Sequence, residues 1–523
     1  MKRFAFAAVL LAASIAHSQA SELTQPRFEN ISEILPAEHV YVGGWEHFVG
    51  GGVAVFDCNG DSFPDFVAAG GTNPARLFRN DTEAPSSDMR FSLAKDFPEL
   101  TGVTGAYPIN VDGDDHTDLV ILRVGENIVL RGAGACRFER ANGDWGFAGG
   151  DAWSTSFSAT WETGNDWPTL FIGNYVDRDD PDGPFEACDD NELHRPNTTG
   201  FAPPINIAPG FCALSALISD ELRTGRRDLR ISNDRHYYVR VGAEQKLRLD
   251  TLKFLTEEDG WPTVSLWGMG IAAQDLTGDG RAEVMSTSMG DQLLQIASET
   301  GYTNAPFSLG TYAQKPFVGD DGRPSTGWHA QFGDINNDGR ADLFIAKGNV
   351  DQMPSNAMKD PNNLLVQSAD GTFAETAPQA GVATTDRSRG AALADFDLDG
   401  RLDLVVVNRR APLELYRNVT ENTGAWLNVQ VRSEDGNRDA IGSFVEVRTP
   451  DGLKTRERTI GGGHAGGQLL PEHFGLGDAS AAEVQVTSPT GTIAIVWTSV
   501  PANSHCVADI DEDSITCDPT VTD

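Results

Sequence analysis

The sequence predicts an all-β protein, a seven-bladed β-propeller followed by a small C-terminal β domain. Three observations carry that prediction. An aspartate-rich loop recurs at nearly equal intervals, short apolar runs follow each loop, and a final stretch alternates apolar and polar residues at period two. Glycine supports it, at 55 of 523 residues, a content that suits many tight turns better than long helices.

The loops are the strongest signal. The fullest copy is Asp395-Phe-Asp397-Leu-Asp399-Gly400-Arg401-Leu-Asp403. Next come Asp334-Ile-Asn336-Asn-Asp338-Gly339-Arg340-Ala-Asp342 and Asp275-Leu-Thr277-Gly-Asp279-Gly280-Arg281-Ala-Glu283. Two looser copies are Asp57-Cys-Asn59-Gly-Asp61-Ser62-Phe-Pro-Asp65 and Asn110-Val-Asp112-Gly-Asp114-Asp115-His-Thr-Asp118. Eroded copies begin at Trp161 and Asp220, so the starts fall at 57, 110, 161, 220, 275, 334 and 395. After a loop comes a run such as Leu404-Val-Val-Val407, then a signature such as Arg76-Leu-Phe-Arg-Asn80 or Glu414-Leu-Tyr-Arg-Asn418. Runs of four to six apolar residues between Gly, Asp and Asn clusters read as strands. About four strands per ~55 residues describe a propeller blade, and a closed ring leaves no long sheet edge exposed.

The remaining elements follow in chain order. Residues 1–20 read as a signal peptide: Lys2 and Arg3, an apolar stretch from Phe4 to Ala16, then Ser18-Gln19-Ala20 as a cleavage site. The propeller takes 21–419, with an acidic insertion at about 174–212 as an exposed loop. Residues 420–510 form the β domain, through Leu427, Val429 and Val431, then Val445 and Val447, Val484 and Val486, and Ile493, Ile495 and Trp497. An acidic tail, 511–523, closes the chain. No stretch after the leader approaches the length and apolarity of a membrane span, so the expected location is secreted or periplasmic, without a lipid anchor.

Charge and cysteine content agree with export. Asp and Glu number 76 against 40 Lys and Arg, a formal −36, which excludes nucleic acid as a partner and favours cations. Six cysteines suggest disulfides, with Cys188–Cys212 and Cys506–Cys517 as local pairs and Cys58–Cys136 left over, although fifteen pairings are open.

Acids at positions 1, 3 and 5 of a tight loop converge on one point, Gly at 6 permits the turn, and position 7 offers a carbonyl. A carboxylate at 9 completes an oxygen shell of the kind Ca²⁺ prefers. The expected ligands are Asp395, Asp397, Asp399, Arg401 and Asp403; Asp334, Asn336, Asp338, Arg340 and Asp342; and Asp275, Thr277, Asp279, Arg281 and Glu283. Asp57, Asn59, Asp61 and Asp65, and Asn110, Asp112, Asp114 and Asp118, extend the expectation to three to five calcium ions. The loops at 161 and 220 read as turns. An EF-hand fails, because position 12 is Val406, Ile345 or Ser286 and not Glu.

These residues resemble the FG-GAP (VCBS-type) repeats of integrin α-subunit propellers, and Phe332-Gly333-Asp334 keeps the Phe-Gly pair. Ile441 to Arg448, Gly461-Gly-Gly-His464 and His473-Phe-Gly-Leu-Gly477 look like an ASPIC/UnbV domain. The combination is similar to bacterial relatives of cartilage acidic protein. That resemblance implies calcium binding and extracellular recognition, with no established catalysis.

Two other features are candidates for chemistry. Gly461 to Gly467 has the glycine content of a phosphate loop but lacks Lys-Ser/Thr and a following helix. Glu46, His47, Asp151, Trp267 and His329, with Trp153, Met269 and Trp328, lie five to eleven residues before a repeat loop, which places them near the channel. The main reading is therefore a binding or adhesion module for a protein or glycan partner. The alternative is a carbohydrate-active enzyme at the channel mouth, although no GxSxG, HExxH or paired-carboxylate spacing favours catalysis.

Overall fold

The computed structural model describes residues 24–234, 242–312 and 323–519, so the signal peptide expected at 1–20 lies outside the described residues. Strands form where the apolar runs fall. Asp403–Asn408, for example, is buried along its whole length because a neighbouring sheet covers each of its faces.

Seven sheets are drawn from residues 28–418. Each begins with a strand that runs into one of the seven repeat loops, and the loop delivers the second strand. Val53–Phe56 and Asp65–Ala68 do this in the first sheet, Ser388–Ala394 and Asp403–Asn408 in the last. The first strands touch their neighbours in cyclic order, and Val53–Phe56 packs against Ser388–Ala394, so the sheets close into a propeller-like ring. The last sheet takes its outer strand from the N-terminal side: Phe28–Asn30 pairs antiparallel with Glu414–Asn418, joining the two ends of the ring. Apolar side chains fill the space between adjacent sheets. Phe66 stacks on its cross-strand partner Phe78 at 4.7 Å, and Phe396, from the loop at 395, meets the edge of Phe66 from the adjacent blade.

The segment at 174–212 is not one exposed insertion. Asn191–His194 and Ile205–Ile207 are the outer strands of the third ring sheet, with loops before, between and after them. Their acidic, Pro- and Gly-rich flanks hide two strands too short to show a period.

The C-terminal part folds as two four-stranded sheets around Leu427, Val429, Val431, Val445, Val447, Val484 and Val486. Ile493 departs from the expected alternation and is 54% exposed. Ser514–Pro519, read from the sequence as tail, pairs with Ser504–Asp509, with Cys517 opposite Cys506. The sheet extends past 510 because a short turn returns the chain beside its predecessor. All three pairings raised from the sequence are present: Cys58–Cys136, Cys188–Cys212 and Cys506–Cys517.

The glycine-rich segment 460–469 leaves this domain and enters the ring axis. Gln468–Leu469 pairs with Val53–Phe56, while Gly466, Ile460, Gly461 and Gly463 bridge to Ala106, Ala159, Leu217 and Ile271. His464 donates its backbone N–H to His329 Nδ1 at 3.1 Å, and Gln468 Nε2 donates to the Leu393 carbonyl at 3.2 Å. The segment therefore touches the first strand of every ring sheet. Glycine is required because the approach is backbone to backbone: a Cβ on Gly466 would lie 2.2 Å from the Val53 oxygen.

Candidate metal centre

Each complete loop is first a hydrogen-bonded turn. In the loop at 395, Asp395 Oδ1 accepts the N–H of Asp399 at 3.0 Å and Oδ2 that of Gly400 at 2.9 Å. Asp334 holds Asp338 and Gly339 in the same way, and Asp275 holds Gly278 and Gly280. Position 6 is left-handed, with φ of 85° at Gly400 and 89° at Gly339. Ser62 takes φ 74° at that place, so the loop at 57 keeps the turn without glycine.

Position 9 acts as a staple between strands. Asp403 Oδ2 accepts the Phe396 N–H at 2.9 Å, and its Oδ1 accepts the Asn418 N–H at 2.8 Å from the third strand. Asp65, Asp118, Glu283 and Asp342 repeat this double bond. Each oxygen keeps a second lone pair, so the staple and a metal are compatible.

The acids then crowd. Asp395, Asp397 and Asp403 are buried and offer oxygens within 4.8 Å of one another. Asp397 Oδ1 has no hydrogen-bond partner, and its Oδ2 lies 2.5 Å from the Arg417 guanidinium. Two such charges repel by about 4 kcal/mol at 4 Å and an effective dielectric of 20. Burial, and then the neighbouring acids, push Asp395 and Asp403 well above the usual range and Asp397 up to about 6. Asp334 rises to about 8 through burial and Asp338, and Glu283 to about 7, chiefly through burial.

Two details modify the ligand set expected from sequence. Arg401 and Arg340 turn their guanidinium groups onto the position-5 carboxylates Asp399 and Asp338, and Arg281 does the same to Asp279 at 3.0 Å. In the loop at 110, Arg131 pairs with Asp112 at 3.0 Å and the Asn110 amide donates to the Asp114 carbonyl, so this loop is already charge-compensated. A second cluster, Cys58, Asp65 and Cys136, is no thiolate site, because its cysteines are joined to each other.

The spacing left one role unread. Asn80 and Asn418, the last residues of the second signature, donate to the carbonyls of Phe396 at 2.8 Å and Ile335 at 2.9 Å, tying each blade to its neighbour's loop. Equally hidden was the docking of the C-terminal domain on the Asp loops. His473 Nε2 meets Asn337 Oδ1 at 2.8 Å, Gly477 N–H donates to the Asn337 carbonyl at 2.9 Å, and Arg223 pairs with Glu446 at 2.9 Å.

The channel residues fall into several contact groups. Glu46 and Asp151 share Arg178, at 3.4 and 3.1 Å. Trp153 and Trp328 are buried in one apolar cluster that Met269 joins and Trp267 borders. His329 is buried and engaged with His464, while the His47 carbonyl accepts from Arg409.

Residues 334–406 match the FG-GAP-like repeat family, and residues 433–514 match the family described as ASPIC and UnbV. Among curated proteins, cartilage acidic protein 1 of Mus musculus is 29% identical over 158 residues, 28% of this chain and 22% of that protein. Its Homo sapiens counterpart is 27% identical over 161 residues, 30% of this chain and 24% of that protein. The matched region thus spans about a quarter of these relatives' length. Among solved structures, BBS1N in complex with ARL6DN aligns with a TM-score of 0.45 at 10% identity, covering 76% of this chain and 98% of that one. An Agrocybe aegerita lectin specific for non-reducing terminal N-acetylglucosamine gives 0.40 at 15% identity, covering 71% and 94%. Among the described residues no helix is long and apolar enough to cross a membrane.

Proposed function

We propose that this chain is a secreted or periplasmic binding module of the adhesion type, built on a seven-bladed, calcium-stabilised ring with an ASPIC/UnbV domain docked on its loop face. The observation that carries the calcium reading is the buried Asp395–Asp397–Asp403 trio with its unpartnered Asp397 oxygen. Hard carboxylate oxygens in a small cage suit Ca²⁺ better than a transition metal. The loops at 395, 334 and 275 are the principal sites and that at 57 a fourth; the compensated loop at 110 is the weakest of the five. Three disulfides fit an oxidising compartment. The partner is a protein or a glycan outside the cell.

At a calcium concentration ten times Kd each site adds about 1.4 kcal/mol to stability. Thermal unfolding in EDTA, in millimolar calcium and in millimolar magnesium tests this. A rise of several degrees specific to calcium is expected. Equal melts in all three, with no calcium found by elemental analysis, would overturn the reading.

A further inference from the structure

A cavity of about 670 Å³ lies between the loop face of the ring and the C-terminal domain. That volume falls within the range of small-molecule sites, ~300–1,000 Å³. Its domain-side wall has a regular cause. In Ala425–Arg432, Leu427, Val429 and Val431 face the domain core, so alternation turns Asn428, Gln430 and Arg432 into the cavity. Across the sheet, His505 lies on the same face beside Asn428.

The charges of the lining are unevenly satisfied. Asp57, Asp275 and Asp395 cap their own loops. Glu221 is held by Arg230 and Lys246, Glu457 accepts the Asp220 N–H, and Glu472 pairs with Arg458. Arg456 is different. It lines the cavity and, among the described residues, makes no hydrogen bond or ion pair at bonding distance; it sits over the Phe474 ring at 5.6 Å, with the Glu472 and Asp334 carboxylates in electrostatic range. Three further polar atoms of the lining lack a hydrogen-bond partner: Ser219 Oγ, on a residue 3% exposed, Thr455 Oγ1 and His505 Nε2. A buried polar atom without a partner costs about 1–3 kcal/mol, which a ligand can relieve.

We propose that this chamber binds a small polyhydroxylated carboxylate, a sugar acid, with Arg456 taking the carboxylate and Ser219, Gln430 and His505 meeting hydroxyl groups. A planar guanidinium matches a carboxylate with two parallel hydrogen bonds, while a hydroxyl, an amide and an imidazole suit neutral hydroxyls. The site goes beyond the calcium reading and uses none of the loop carboxylates as ligands.

Isothermal titration of the mature protein with glucuronate, galacturonate and their dimers, against glucose and galactose, tests the proposal. At least one acid is expected to bind, about ten-fold more tightly than its neutral parent, and Arg456→Gln should weaken it about ten-fold with an unchanged melt. Should Arg456→Gln fail to fold, Gln430→Ala and Ser219→Ala carry the test, each expected to weaken binding about three-fold. Absence of binding across the panel, equal binding of acid and neutral sugar, or full affinity in these variants would overturn it. Titrations run in EDTA as well as calcium keep the two readings apart: sugar-acid binding without a calcium-dependent melt would sink only the calcium sites.

Discussion

At the scale of single residues, the Asp loops contain two kinds of acid. Position 9 holds the blade together whether or not an ion is present. Asp118 shows this best, because its loop is already compensated and its two oxygens accept the N–H groups of Val111 at 2.7 Å and Gly132 at 2.8 Å. Asp118→Ala leaves both donors buried and should cost about 2–5 kcal/mol, equally in EDTA and in calcium. Asp397 is the opposite case, since one oxygen has no donor and the other an arginine. Asp397→Asn should leave the EDTA melt within about 1 kcal/mol of the parent and shrink the calcium-induced increment. Urea unfolding of both variants in the two buffers separates the roles; identical behaviour would refute the division. These acids were legible from sequence because their bonds within the loop are local, two to seven residues apart; only the position-9 bonds to the third strand, 14 and 15 residues away at Gly132 and Asn418, were not. At position 7 the pattern fixes where an arginine stands and not that its guanidinium folds back onto position 5.

At the scale of elements, the glycine segment 460–469 shows why some of the site stayed hidden. Its partners lie far away in sequence, as His464 and His329 do, and no local spacing records them. Glycine content alone suggests either a phosphate loop or a flexible linker. The distinguishing fact is that facing glycines also lack room: a Cβ on Gly52 or Gly105 would lie 1.7 or 2.0 Å from the Ala465 oxygen. Backbone atoms cannot yield to such an overlap. Gly52→Ala or Gly105→Ala should therefore expel the segment and loosen the C-terminal domain from the loop face. The expected reading is a melt lower by several degrees, with new protease cleavage between the ring and residue 433. Gly143→Ala is the control, since its φ is not positive and nothing lies within 4 Å of its added Cβ. If the three variants resist protease alike, the segment is not what holds the domain down. The ring sheets were legible for the opposite reason: each carries the same local loop, so spacing rescued even the eroded copy at Trp161. The outer strands of the third sheet were lost because repetition fails there.

At the scale of the whole molecule, the docked domain buries histidines where ring and domain meet, and this sets an acid limit on stability. Burial pulls His329 down to about 4, and His464 and His473 down to about 3. The folded state therefore keeps these rings neutral while the unfolded chain protonates them near pH 6.5, so the unfolded state binds more protons between 6.5 and 3–4. Stability must fall as pH drops through that window and be complete above it. At about 1.4 kcal/mol per unit the three rings together approach on the order of 10 kcal/mol, comparable with the whole stability of a domain. Glu457, pushed up to about 8 chiefly by burial, acts with the opposite sign: its contribution is full below pH 4.5 and is lost as pH rises through 8. The raised loop carboxyls, Asp334 at about 8 and Glu283 at about 7 among them, share that sign, but bound calcium would hold them ionised, so in saturating calcium the three imidazoles set the acid side. In saturating calcium, the expected outcome is cooperative unfolding, followed by tryptophan fluorescence, with a midpoint between about pH 4 and 5. A protein that stays folded at pH 3.5 would show that the histidines are solvated and that the domain does not sit on the ring as described. The same experiment joins the scales, because His464 belongs to the channel segment and His473 to the bridge onto Asn337. Acid should thus release the domain from the ring before it unfolds the blades, and protease sensitivity should appear ahead of the loss of strand signal.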